Sequence, residues 1–221
     1  MTRWTEPHGL RAVETWVFDL DNTLYAPGLG LWEQVSARIT DYVMRALSIS
    51  REAAEALRVE YFHAHGTTLA GLMARHGVAP DPFLDDVHAI DLSAVAQDHA
   101  LRDAIDALPG RKVIYTNGSR AHGAGVAAAL GLSGCFEAVY GVEDAGYVVK
   151  PQRAAFETVF GADGFDPLLG AMVEDCQRNL RVPSELGMAT IWRPADAAEA
   201  RQDHVHHVAD DLAAFLTRIA A

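Results

Sequence analysis

Cysteine is scarce in this chain: Cys135 and Cys176 are the only two in 221 residues. That is too few for a disulfide scaffold and suits a reducing compartment. Basic residues are short as well. Eighteen Lys and Arg stand against 30 Asp and Glu, a formal net charge of −12, which argues against the broad basic surface that a nucleic-acid polymer needs. No apolar run approaches the roughly 20 residues of a membrane-spanning helix. The stretch Met1-Thr2-Arg3-Trp4-Thr5-Glu6-Pro7 lacks the apolar segment of a secretory signal. What is present is a chain half hydrophobic and 22% charged, a balance that folds around a core rather than staying disordered. The length allows one ordinary domain carrying an inserted module. These features set the expectation of a cytoplasmic globular protein without membrane or nucleic-acid partners; monomer and homodimer both stay open.

Short apolar runs recur along the chain: Trp16-Val17-Phe18, Val113-Ile114-Tyr115, Ala138-Val139-Tyr140, Ala171-Met172-Val173, Thr190-Ile191-Trp192 and a brief His207-Val208. Runs that are continuous rather than alternating suit strands buried on both faces of a parallel sheet. Helical stretches lie between them. Ser119 is placed to cap one that closes at Gly131. Pro151 stands where a first helical residue is tolerated, ahead of Ala155, Phe156, Val159 and Phe160, with Gly161 following. Asp210 is placed to cap a last helix carrying Leu212, Phe215, Leu216 and Ile219. Strand–helix alternation of this kind predicts an α/β fold, a doubly wound parallel sheet.

Residues 29–96 break the rhythm. Trp32, Val35, Ile39, Tyr42, Val43 and Ala46 form one helical stripe, and Ala54, Leu57 and Tyr61 another, before the turn-rich Gly77-Val78-Ala79-Pro80-Asp81-Pro82. An all-helical block between the first and second strands predicts an inserted cap over a Rossmann-like core made of residues 1–28 and 97–221.

In open α/β sheets ligands gather beyond the carboxyl ends of the strands. Just past those ends stand Asp19 and Asp21, Thr116 and Asn117, Lys150, and Glu174 and Asp175. Singly each has a bland explanation as turn, cap or surface chemistry; together they put several carboxylates, a hydroxyl and a lysine at one sheet edge. Asp19-Leu20-Asp21-Asn22-Thr23-Leu24 resembles the first motif of the haloacid dehalogenase (HAD) superfamily, and Thr116-Asn117, Lys150-Pro151 and Glu174-Asp175 are similar to its second, third and fourth, in order. The intervening block resembles the superfamily's helical subclass I cap. Gly30-Leu31-Trp32, Gly66-Thr67-Thr68-Leu69-Ala70-Gly71-Leu72, Leu108-Pro109-Gly110-Arg111-Lys112-Val113 and Glu174-Asp175-Cys176-Gln177-Arg178-Asn179-Leu180 extend the likeness to the pyrimidine 5′-nucleotidase branch.

The resemblance implies a phosphatase using Mg²⁺, held by the side chains of Asp19 and Asp175 and the backbone carbonyl of Asp21. Asp19, expected to be ionised at neutral pH like a surface carboxylate, would attack phosphorus and carry an aspartyl-phosphate. Asp21 would protonate the leaving alcohol and later deprotonate water. Lys150 would offset negative charge, and Thr116, Asn117 and Gly118 would hold the phosphoryl oxygens. Glu174 would orient waters near the metal or hold its loop, and Asn179 would tie that loop down. Tyr25, Trp32 and Thr68 are candidate contacts to the substrate from the cap side. Dehalogenase relatives lack an aspartate at the position of Asp21, because a departing halide needs no proton. A small phosphomonoester, a pyrimidine nucleoside 5′-monophosphate first and a sugar phosphate or phosphoglycolate second, is therefore the expected substrate.

Departures from the branch pattern are Cys176 in place of a serine, His65 in place of an aromatic, Gln97-Asp98-His99 in place of a Pro-Asp-Pro-like hinge, and Pro183. A proline inside a helix costs about 3 kcal/mol or more, so the sequence predicts a loop over Arg178–Val182 and a helix starting near Pro183. His204, His206 and His207 are set aside as a metal site, and the two cysteines are read as buried thiols.

Overall fold

The computed structural model describes Trp4, residues 7–195 and residues 199–220. Most of the N-terminal stretch weighed as a signal, and residues 196–198 of the late alanine-rich segment, lie outside the described residues. Strands β1 (Thr15–Phe18), β2 (Arg111–Tyr115), β3 (Ala138–Tyr140), β4 (Gly170–Glu174), β5 (Ala189–Trp192) and β6 (His207–Val208) form one sheet in the order β3-β2-β1-β4-β5-β6. Every pairing in it is parallel. Successive side chains of a strand point to opposite faces, and here both faces are covered. Trp16, Phe18, Ile114 and Val173 join one core with α5 (His99–Asp106), α6 (Arg120–Ala129) and α9 (Leu212–Ala220). Val17, Val113, Tyr115 and Met172 join the other with α7 (Arg153–Asp163) and α8 (Gln177–Glu185). Burial on both sides is why these strands read as unbroken apolar runs.

Between β1 and β2 lie α1 (Leu31–Leu47), α2 (Arg51–His65), α3 (Thr68–His76) and α4 (Pro80–Val87). They share a separate apolar cluster in which Val43, Ala54, Tyr61, Leu72 and Phe83 meet Val142 and Val149, from the segment between β3 and α7. The expected interruption at 77–82 is narrower than the sequence suggests. Gly77 ends α3 in the left-handed region (φ +64), and Pro80 already opens α4 as its first residue.

Several local expectations are corrected. The loop over Arg178–Val182 is not there: α8 runs from Gln177 to Glu185 with Pro183 inside it. Pro183 sits near the end of a short helix, so only one i→i−4 bond is lost, and Leu180, Val182 and Pro183 are buried on the inner face. Helix α7 starts at Arg153 rather than Pro151, because Asn117 clamps the backbone of Lys150 from both sides (Lys150 N to Oδ1 2.9 Å, Nδ2 to Lys150 O 3.1 Å) and holds that segment as a loop. It also continues through Gly161 and closes at Gly164 (φ +83). The last helix is capped by Asp211, not Asp210: its Oδ1 accepts from Ala214 N at 2.9 Å. Ser119 caps α6 as expected, accepting from His122 N at 3.2 Å.

Candidate active site

The parallel ladder delivers the motif residues to one edge. Beyond β1, Asp19 N still donates to Val173 O at 2.9 Å, and beyond β2, Thr116 N donates to Tyr140 O at 3.0 Å. Glu174 is the last residue of β4 and Asp175 follows it. Lys150, pinned through its backbone by Asn117, reaches into this edge almost fully buried, with 3% exposure. Its Nζ donates to Asp19 Oδ1 (2.7 Å), Glu174 Oε1 (2.8 Å) and Tyr115 O (2.9 Å). Thr23 donates to the other oxygen of Asp19 at 2.8 Å. Glu174 is wholly buried and also accepts from Asn179 Nδ2 (2.7 Å) and Cys176 N (2.9 Å), so it organises both Lys150 and the loop after β4.

The charge balance here is uneven. Asp19, Glu174 and Asp175 each offer an oxygen within 4.8 Å of the others, against one lysine. Burial first, and then Glu174, push Asp19 up to about 7 despite the opposing pull of Lys150. The expectation of an ordinary surface carboxylate is therefore corrected: the side chain is buried beside a second acid. Burial and Asp19 push Asp175 up to about 6. Burial works against the charge of Lys150, but Asp19 and Glu174 outweigh it and hold the ammonium above its usual range. A closely spaced, all-oxygen, negatively overcharged donor set fits a hard divalent cation such as Mg²⁺.

Asp21 lies in the turn after β1 and has different partners. Tyr25 OH donates to its Oδ1 at 2.6 Å, His122 Nε2 lies 3.1 Å from the same oxygen, and the Thr116 hydroxyl is 3.5 Å from Oδ2. Burial alone raises the Asp21 carboxyl, but the contact with His122, and after it the Tyr25 hydrogen bond, hold it below the usual carboxylate range. Tyr25 is thus a buried support of Asp21, its phenol pushed well up by burial and by that carboxylate. His122 and His88 were invisible to the motif reading. The signal available for His122 was its position four residues before Val126, on the buried face of α6, three residues after the Ser119 cap that follows Thr116-Asn117-Gly118.

The structure brings together Asp19, Asp21, Thr116, Lys150, Glu174, Asp175 and Asn179. Asn117 serves as a clamp on Lys150, and Gly118 N donates to the Thr116 hydroxyl at 2.9 Å. Among the described residues, Trp32 and Thr68 stand outside this bonded group: Trp32 is 50% exposed in the first turn of α1, and Thr68 opens α3 behind its cap Thr67. His204, His206 and His207 contact Gln177 O, Thr190 and Trp4 O separately, so they do not converge on one point. Cys135 is buried as expected, whereas Cys176 is only half-buried at the start of α8.

The sequence pattern of the haloacid dehalogenase-like hydrolases matches residues 13–187. Phosphate metabolism protein 8 of Saccharomyces cerevisiae is 23% identical over 199 residues, covering 81% of this chain and 61% of the yeast protein. The chain therefore spans about three-fifths of the length of that curated relative. Among solved structures, a 2-haloacid dehalogenase of Pseudomonas syringae superposes with a TM-score of 0.59 at 18% identity, over 93% of this chain and 99% of the other. A HAD phosphatase of Thermococcus onnurineus gives 0.57 at 17% identity, over 88% and 92%.

Proposed function

The chain belongs to the haloacid dehalogenase-like hydrolases, and from that premise we propose that it is a Mg²⁺-dependent phosphomonoester hydrolase acting through an aspartyl-phosphate on Asp19. The observation that carries the reading is Asp21: a second carboxylate two residues from Asp19, steadied by Tyr25 and His122 and facing the Thr116 hydroxyl. Release of an alcohol needs a proton donor at that place; release of a halide does not.

In this reading Asp19 and Asp175 hold the metal with their side chains and Asp21 with its backbone carbonyl. When bound, Mg²⁺ supplies positive charge beside the phosphoryl oxygens and favours the ionised form of Asp19. A carboxylate oxygen of Asp19 attacks phosphorus and the bond to the leaving oxygen breaks, the alcohol taking its proton from Asp21. Asp21 then takes a proton from water, whose oxygen attacks the phosphorus and frees Asp19 and phosphate. The carboxylate held low by His122 suits the second half; the approach of a phosphate dianion raises it toward the protonated form that the first half requires. Lys150 bridges Asp19 and Glu174 and offsets their mutual repulsion, and the Thr116 hydroxyl with neighbouring N–H groups receives the phosphoryl oxygens.

Residues 29–96 act in this reading as a cap on a core of 1–28 and 97–221, in a cytoplasmic enzyme. Pyrimidine nucleoside 5′-monophosphates are the favoured substrates, on the motif likenesses that run through the cap; sugar phosphates and phosphoglycolate are the alternative on the same core. Phosphate release measured with Mg²⁺ over nucleotides, sugar phosphates and phosphoglycolate is the test, with Asp19→Asn as the control expected to lose at least about a thousandfold. UMP and CMP ranking no higher than the rest removes the nucleotidase reading alone. Halide release from 2-haloacids without phosphate release replaces the phosphatase reading altogether.

A further inference from the structure

Two histidines outside the four motifs meet at the proton-transfer end of the site. His122 is the third residue of α6 and is 6% exposed; its Nε2 lies 3.1 Å from Asp21 Oδ1. A carboxylate accepts and does not donate, so the hydrogen of this contact is carried by Nε2. Its other nitrogen, Nδ1, is buried without a hydrogen-bond partner. Leaving a buried polar atom unmatched is costly, yet the ring is turned so that its other nitrogen meets Asp21. His88, the residue that ends α4, lies flat against His122, with ring centroids 4.4 Å apart and planes 21° from parallel. The Ser119 hydroxyl that caps α6 also bonds His88 Nδ1, at 3.1 Å. Burial and His122 hold His88 down at about 4, so its ring is uncharged near neutrality. Both rings crowd the loop after β2: a Cβ on Gly118 would stand 3.0 Å from His122 Cδ2 and 3.5 Å from His88 Nε2.

We propose that His122 is a positioning residue that fixes the Asp21 carboxylate for proton transfer, and that His88 buttresses its ring from the helical segment. The geometry leaves His122 few other tasks: it is too buried for a surface role, and it touches Asp21, which Lys150 does not bond. The inference rests on the reading of Asp21 as donor to the leaving group.

The test compares kcat/KM, which reports steps up to the departure of the alcohol, for an alkyl phosphomonoester and for p-nitrophenyl phosphate, whose leaving group needs little protonation. His122→Ala is expected to lose about tenfold or more on the alkyl ester and under about threefold on the aryl ester. His122→Gln, which returns an N–H near the position of Nε2, is expected to recover most of the loss, and His88→Ala to show a smaller loss of the same pattern. An equal fall on both esters, or Gln no better than Ala, overturns the proposal. Should His122→Ala not fold, His122→Asn, whose amide stops short of Asp21, takes its place. A wild-type chain that releases no phosphate counts against the phosphatase reading instead. The positioning contact is then read by NMR: a slowly exchanging His122 Nε2–H signal is expected in the wild type and is expected to vanish in Asp21→Ala, and its absence from the wild type overturns the proposal.

Discussion

Lys150 brings one positive charge into a buried space shared with Asp19 and Glu174, and Asp175 adds a third acid within ligand distance. Without a cation these carboxylates are destabilised by desolvation and by one another, which is what raises Asp175 to about 6 from an ordinary 3.8. The folded state then binds more protons than the unfolded one between those two values, so its stability falls as pH rises through the window and stays reduced above it. Asp175→Asn removes the titration. In metal-free buffer near pH 7.5 the variant is expected to melt about 2–6 °C above the wild type, with the gap closing near pH 4. Addition of Mg²⁺ is expected to raise the wild-type Tm and leave that of the variant unchanged. Thermal melts at the two pH values, with and without the metal, check both halves; a wild type indifferent to Mg²⁺ contradicts the donor set.

Elements differ in how much of them the chain announces. Central parallel strands are legible because Trp16-Val17-Phe18 and Ala171-Met172-Val173 are buried on both faces, and the Ser119 cap is legible because it is local chemistry. Helix α8 was not: propensity places a break at Pro183, and tertiary burial of Leu180 and Val182 overrides it. The start of α7 was hidden for a related reason, since the clamp on Lys150 comes from Asn117, 33 residues away in sequence. His122 and Asp21 are 101 residues apart, so their pairing lies beyond any motif spacing, whereas Asp19, Thr116, Lys150 and Asp175 were legible as four separate strand-end residues. The helical segment offers its own test. Gly71 of α3 faces the Tyr61 ring of α2, and a Cβ there would stand 2.2 Å from Cγ of that ring. Tyr61 is buried and tied to His76 by a 2.6 Å contact, so it has little room to yield. Gly71→Ala is expected to cost about 1–3 kcal/mol of stability by overpacking, read as a lower midpoint in denaturant, whereas Gly161→Ala, with nothing within 4 Å of its added carbon, is expected to show no such loss.

At the scale of the whole molecule the net charge of −12 and an anionic substrate pull in opposite directions. Long-range repulsion slows the approach of a phosphate dianion, while the interactions that accept it, Lys150, backbone N–H groups and the proposed cation, act only within a few ångströms. Salt screens the first far more than the second, because the Debye length shrinks from about 30 Å at 0.01 M to about 10 Å at 0.1 M while the contacts inside the site remain shorter than either. A phosphate binder with a basic surface loses affinity across that range as its counterions compete. This chain is expected to behave the other way. At saturating Mg²⁺, kcat/KM for a phosphomonoester is expected to rise between those two ionic strengths, by less than about threefold, because only the far field is being removed. Steady-state rates across a salt series decide it. A marked fall instead would mean that attraction from a wider basic surface dominates the encounter, and would count against a pocket whose positive charge is confined to one lysine and one metal ion.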